Sequence, residues 1–147
     1  MIKSLIHLFH RDLDKLISEI ELTDDSKLWL KKPGITNSIG NLGLHLCGNL
    51  NHFIGATLGN TGYIRQRDKE FSDKNVSKEV IIDRIKAVKV IIANTLNQLN
   101  SDQIASSYPI NVFDKTVTTE YFLIHLHSHL NYHLGQINYL RRILTAD

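Results

Sequence analysis

Apolar residues recur at three- and four-residue intervals in four long stretches of the chain, a pattern typical of amphipathic α-helices. These stretches run from about Ile2 to Glu21, Ser38 to Gly59, Ser77 to Leu99, and Thr118 or Thr119 to Leu144. The third is rich in β-branched residues, but its length and its interspersed charges favour a helix over a strand. Four long helices in 147 residues predict an all-α fold, a four-helix bundle built as a single domain over residues 1–147.

The connections between these helices are longer than tight antiparallel packing needs, and they cover residues 22–37, 61–76 and 101–117. Long connections in compact domains are often binding loops or lids. Three of them around one bundle therefore predict a pocket at one of its ends. In the last connection, apolar residues alternate around Asp114 and Lys115, which predicts a small hairpin before the fourth helix.

The second helical stretch contains an unusual number of glycines, Gly40, Gly43, Gly48 and Gly55. Each glycine within a helix costs up to about 1 kcal/mol relative to alanine. A helix that keeps four of them is expected to bring its backbone close to a neighbouring element.

Composition narrows the classes of function. The net charge is only +2 and no dense block of Lys or Arg occurs, so nucleic-acid binding is not expected. No stretch approaches the ~20 apolar residues of a membrane span, and the N-terminus lacks the apolar run of a signal peptide. Cys47 is the single cysteine, so an internal disulfide is ruled out and a cytoplasmic protein is expected. Its thiol is interpreted as buried and unreactive.

Three histidines of the last helix, His125, His129 and His133, recur every fourth residue. A step of four residues places side chains nearly above one another, so the pair His129 and His133 can bind one metal ion. His125 lies roughly 12 Å along the axis from His133, which is too far for both to share a small ion. A further ligand is expected from the second helix, where His45 and His52 are both candidates and geometry alone does not choose between them.

A run of charged residues, Arg65–Phe71, follows the second helix. It is interpreted either as a solvated loop or as a lid that forms salt bridges with the bundle or binds an anionic substrate. The sequence alone leaves both interpretations open.

Three segments resemble one branch of the DinB/YfiT-like superfamily of metalloenzymes. They are Asn37–Leu50, Arg65–Phe71 and, most specifically, a His-x-x-x-His-x-Gly-Gln-Ile motif at residues 129–137. The resemblance implies a four-helix bundle, often a homodimer, with a divalent metal bound by one histidine of the second helix and two of the fourth. The matching positions are His45, His129 and His133.

Characterised members of that superfamily include enzymes that transfer low-molecular-weight bacterial thiols to electrophiles or use them in isomerisation. The resemblance therefore implies a metal-dependent thiol S-transferase that acts on a small-molecule substrate. Zinc or nickel is the expected ion, with iron and manganese as alternatives, because ligand type alone does not separate them. Two other classes stay open: a metal-dependent hydrolase, and a metal- or ligand-binding helical module without catalysis.

A metal-bound imidazole usually donates its second ring N–H to an acceptor that fixes its orientation. Asn49 and Gln136 are close enough in sequence to the expected ligands to fill this role. No carboxylate base accompanies the histidine motif in the sequence. Its absence from the motif makes hydrolysis less expected than thiol transfer.

Overall fold

The computed structural model describes residues 1–146, and Asp147, the last residue of the predicted domain, lies outside them. The described chain is helical and contains no strand. Its helices are α1 (Ile2–Glu21), α2 (Ile39–Leu50, continued through a π-helical segment, Asn51–Ala56, to Thr57–Gly59), α3 (Arg67–Ser72), α4 (Lys78–Gln98), α5 (Ser101–Ala105) and α6 (Thr119–Ala146). The four long helices begin and end within two residues of their predicted bounds, which confirms the all-α four-helix prediction.

The apolar faces of the long helices are buried in a common core, as amphipathic helices require. Both α1 and α2 pack against α4 and α6. The largest fully buried side chains come from all four helices: Phe9, Leu13, Leu16, Ile20, Ile39, Leu46, Leu50, Ile54, Ile81, Ile85, Ile92 and Phe122. None of the described helices has both the length and the apolar character that a bilayer crossing requires.

The glycines of α2 lie where neighbouring side chains press against the helix backbone, as predicted. A Cβ atom added at Gly40 would lie 2.6 Å from the ring of Trp29, and one at Gly48 would lie 2.0 Å from Oε2 of Glu70. Real Cβ atoms do not tolerate such distances, because protein interiors are close-packed. The absence of side chains at these positions therefore lets the Trp29 ring and the Glu70 carboxylate lie directly on α2.

A buried polar cluster joins α1 to α6. Asp12 is fully buried, and its carboxylate accepts hydrogen bonds from Nε2 of His127 and Nδ2 of Asn131, both at 2.9 Å, and from Arg11 at 2.8 Å. Burial raises the pKa of Asp12, but these bonds outweigh burial and hold the pKa well below its usual range. His127 therefore has a structural role and faces away from the histidines that recur on either side of it.

The predicted hairpin in the last connection is reduced to one bridge. Ser107 and Thr118 form an isolated antiparallel bridge, and no strand ladder continues from it within the described residues. Pro109 lacks the N–H that a ladder would need, and the alternating apolar residue Val112 is 36% exposed. Tyr108 instead ties the connection to α2 by donating a hydrogen bond from its hydroxyl to the carbonyl oxygen of Phe53 at 2.6 Å.

Candidate metal centre

The side chains of His45, His129 and His133 meet between α2 and α6. Nε2 of His129 lies 3.3 Å from Nε2 of His45 and 3.1 Å from Nε2 of His133. One potential ligand atom from each residue lies within 4.8 Å of those of the other two. Two nitrogen ligands at about 2.1 Å from a tetrahedral zinc ion are about 3.4 Å apart. The separations of 3.3 Å and 3.1 Å from Nε2 of His129 therefore match those between ligands of a single ion.

Helix geometry explains how the three rings converge. His129 and His133 lie one turn apart on α6, and their ring centres are 4.5 Å apart. His45 belongs to the Ile39–Leu50 part of α2, in which every residue is buried. Its ring centre lies 5.1 Å from each of the other two. One helix thus supplies a pair of rings, and a second helix supplies the third.

The other two candidate histidines lie outside this cluster. His52 belongs to the π-helical segment of α2, and its ring packs against Phe53 with ring centres 4.7 Å apart. His125 lines the same cavity as the cluster, where its ring packs against those of Phe113 at 5.0 Å and Phe122 at 5.7 Å. Of the alternatives that the spacing left open, the structure therefore brings His45, and not His52, to the pair on α6.

Glu70 fixes the orientation of His45. Its Oε1 atom accepts a hydrogen bond from Nδ1 of His45 at 3.0 Å, so Nε2 is the nitrogen that faces the cluster. Arg65 holds the carboxylate from the other side with two hydrogen bonds of 2.8 Å, one to each oxygen. Sequence reasoning missed this role of Glu70, although Gly48 leaves the space in which the carboxylate lies. The Arg65–Phe71 segment is therefore packed on the bundle through salt bridges, and the solvated-loop interpretation is wrong for Arg65 and Glu70.

Of the two predicted anchors, only Gln136 bonds to a histidine of the cluster. Its Oε1 atom lies 2.7 Å from Nδ1 of His133. Asn49 does not bond to the cluster, and its Oδ1 atom is buried without a hydrogen-bond partner among the described residues. Nδ1 of His129 is also buried without such a partner. The site thus contains one unsatisfied acceptor and one ring nitrogen that becomes an N–H donor whenever Nε2 binds an ion.

Burial favours the neutral form of the imidazoles of His129 and His133. Burial, followed by the charges of His133 and His45, lowers the pKa of His129 to about 4, and burial also lowers the pKa of His133. Only the neutral imidazole has a lone pair for a metal, so little proton competition remains at neutral pH. Burial opposes ionisation of Glu70, but the hydrogen bonds from Arg65 and His45 outweigh it and keep the pKa of Glu70 below its usual value.

The lone cysteine does not take part in this site. Cys47 is buried, and its exclusion from water raises the pKa of the thiol to about 12. It therefore stays protonated at neutral pH. The prediction of a buried cysteine is confirmed.

A cavity of about 420 Å³ lies against the cluster and leaves one side of the three rings open. Its apolar lining consists of Phe53, Phe71, Val112, Phe122 and Leu126. Its polar lining, apart from the cluster, consists of Asn37, Asn49, Arg65, Arg67 and His125. Three neutral nitrogen ligands with an open side fit a catalytic dication, whereas structural zinc sites are closed by a fourth protein ligand.

Comparison with solved structures places the chain among helical bundles of the same topology. A DinB-like protein from Bacillus cereus ATCC 10987 is 16% identical, with 97% of this chain and 92% of that chain covered and a TM-score of 0.77. A conserved protein from Enterococcus faecalis is 15% identical, with 100% and 98% covered and a TM-score of 0.79. YfiT from Bacillus subtilis, described as a probable metal-dependent hydrolase with an unusual four-helix bundle topology, is 18% identical, with 98% and 87% covered and a TM-score of 0.78.

At these identities the structural likeness shows the fold alone. No curated protein matches the sequence. The sequence does match a family described as Protein of unknown function (DUF1572) over residues 2–147. The chain therefore belongs to the DUF1572 family and has the fold of the DinB-like proteins and YfiT.

Proposed function

We propose that this protein is a divalent-metal-dependent enzyme whose ion is bound by His45, His129 and His133. The single observation that carries the proposal is the spacing of their Nε2 atoms, 3.1 Å and 3.3 Å from the central one, beside an open cavity. Zinc or nickel suits three imidazole ligands, with iron and manganese as alternatives. The whole chain, residues 1–147, acts as one domain.

His45, His129 and His133 would hold an ion that, when bound, would supply Lewis-acid chemistry and lower the pKa of a bound water or thiol. The protein's own residues prepare the ligands for it. Glu70 accepts the Nδ1 proton of His45 in a hydrogen bond, and Gln136 does the same for His133, so both rings present Nε2. Nδ1 of His129 has no such acceptor among the described residues.

The first reaction we propose is transfer of a low-molecular-weight thiol to an electrophile, on the strength of the three sequence segments that resemble the superfamily. The second is metal-dependent hydrolysis, which the description of YfiT supports. Glu70 does not favour hydrolysis as a base, because both of its oxygens bond to Arg65 and it does not line the cavity. His125 does line the cavity, and its ring can hold or accept a proton in either reaction.

Metal analysis followed by a turnover screen separates these functions. Protein purified without a polyhistidine tag is expected to bind one dication per chain, measured by mass spectrometry of the metal and by calorimetric titration. Turnover of model electrophiles only in the presence of a thiol supports the transferase, whereas ester hydrolysis without thiol supports the hydrolase. Metal binding without turnover indicates a binding module, and a chain that binds no dication contradicts the metal site itself.

We further propose that the chain assembles as a homodimer through the exposed face of α6. Tyr132, Tyr139 and Ile143 are 65%, 68% and 46% exposed, and their spacing of seven and four residues places them on one face of the helix, where they form an exposed apolar stripe. Analytical ultracentrifugation is expected to show a dimer that Tyr132→Lys with Tyr139→Lys converts to a monomer. Val90→Lys, at an exposed apolar position of α4, is the matched control and should leave the dimer intact. A monomeric wild-type protein would rule out this assembly.

A further inference from the structure

The cavity beside the histidine cluster carries an excess of positive charge. Arg65 and Arg67 line it together with the imidazoles, and no carboxylate occurs among the described residues of its lining. Its remaining polar groups are the neutral amides of Asn37 and Asn49. Three neutral imidazoles do not compensate the charge of a dication, so a bound metal would make the cavity more positive still.

The two arginines differ in whether their charge is paired with a carboxylate. Arg65 is neutralised, because its guanidinium forms a two-point ion pair with the buried carboxylate of Glu70. Arg67 makes no hydrogen bond or ion pair with any described residue. Its guanidinium carbon instead lies 5.2 Å from the centre of the Phe71 ring. The two arginines of the Arg65–Phe71 segment therefore have different roles. Arg65 holds the carboxylate of Glu70 in place, and the charge of Arg67 is not paired with a carboxylate.

The stacking also holds Arg67 close to the cluster. The ring of Phe71 packs on its other neighbour, His45, with ring centres 4.9 Å apart and planes inclined at 34°. Phe71 therefore contacts both the guanidinium of Arg67 and one of the three imidazoles. A guanidinium stacked on an aromatic ring keeps its in-plane N–H groups free, and these match the two oxygens of a carboxylate.

We propose that Arg67 binds a carboxylate of the small molecule that enters this cavity, so that the substrate class is a small organic anion. This inference rests on the proposed function, in which a second group of the same molecule lies at the three histidines. The distances of 5.2 Å and 4.9 Å from the Phe71 ring centre place the Arg67 guanidinium carbon no more than about 10 Å from the ring centre of His45. A short dicarboxylate has the size and charge to contact both positions.

The test compares short dicarboxylates with their monoamides on zinc-loaded protein. Malonate, succinate and glutarate are titrated calorimetrically, each beside the monoamide of the same length. The best dicarboxylate is expected to bind about tenfold more tightly than its monoamide, the size of one charge-assisted contact. Arg67→Gln should reduce this ratio to below about twofold, and Arg67→Lys should keep part of it because the charge remains. The matched control is Lys69→Gln, which removes an exposed cation of α3 outside this cavity and should keep the full ratio.

Two results would overturn the proposal: equal binding of dicarboxylate and monoamide by the wild-type protein, or an unchanged ratio in Arg67→Gln. The zinc content of every variant is measured first, so loss of the metal is recorded separately from loss of anion binding. If the chain binds no zinc, the proposed function fails, and the Arg67 assignment is still tested on metal-free protein by NMR. The Nε–H signal of Arg67 should shift with succinate, while that of Arg142, which stacks on Tyr139, should not; equal shifts would contradict the assignment.

Discussion

Replacing His129 with alanine is expected to weaken binding of a divalent metal by roughly a hundredfold or more, a loss of about 3 kcal/mol. His129 has this effect because its Nε2 atom lies within 3.3 Å of the Nε2 atoms of both His45 and His133. The alanine variant leaves two imidazoles on different helices, and two ligands rarely hold an ion against water. Calorimetric titration of untagged protein with zinc, together with the metal content after dialysis, measures the change.

Two histidines of the same chain provide matched controls for this experiment. His125→Ala removes an imidazole of the cavity lining one turn before His129, and it should leave one ion bound per chain. His52→Ala is the control for His45→Ala, because both positions lie on α2 and only His45 belongs to the cluster. Unchanged zinc content in His129→Ala would refute the three-histidine site. Equal losses in His52→Ala and His45→Ala would refute the assignment of His45.

The helices and the pair on α6 were predictable because the information that determines them is local. Apolar spacing of three and four residues defines each helix, and the same spacing places His129 and His133 on one face. The choice between His45 and His52 could not be made from the local sequence pattern. They are seven residues apart, a separation that keeps two side chains on one face of a regular helix. That separation also places them about 10 Å apart along the helix axis. Only one of them can therefore reach the pair on α6, and which one does so depends on how α2 packs against α6.

Glu70 shows why the surroundings of the site were harder to predict than its ligands. It lies 25 residues after His45, on a segment whose charges are equally compatible with a solvated loop. Only packing of α3 on α2 brings its carboxylate to the imidazole. The sequence did contain one relevant signal, since Gly48 predicted a close approach to α2, but a glycine does not identify the group that approaches. Asn49 was selected by its proximity in sequence, which does not determine the direction of a side chain.

Replacing Glu70 with glutamine is expected to lower both the affinity for metal and the stability of the fold. The carboxylate accepts from Arg65 at both oxygens and from His45 at one, and a glutamine side chain offers only one acceptor oxygen. Removing the group that accepts a hydrogen bond from a metal-bound histidine typically lowers the affinity for the metal by about 10- to 100-fold. The variant also leaves the Arg65 charge, whose side chain is only 12% exposed, without a partner, at a cost of about 3 kcal/mol. Zinc titration and urea denaturation at neutral pH measure the two effects.

Two further variants separate the position of the carboxylate from its charge. Asp68→Asn removes an exposed carboxylate of the same short helix, and it should change the free energy of unfolding by no more than about 0.5 kcal/mol. Gly48→Ala keeps the charge of Glu70 but introduces a Cβ atom 2.0 Å from the present position of its Oε2, so the carboxylate must leave its present position. If the carboxylate acts by orienting His45, Gly48→Ala should also weaken zinc binding, although the Arg65–Glu70 pair can still form. Zinc affinity equal to wild type in both Glu70→Gln and Gly48→Ala would mean that His45 needs no anchor, and the role assigned to Glu70 would then be wrong.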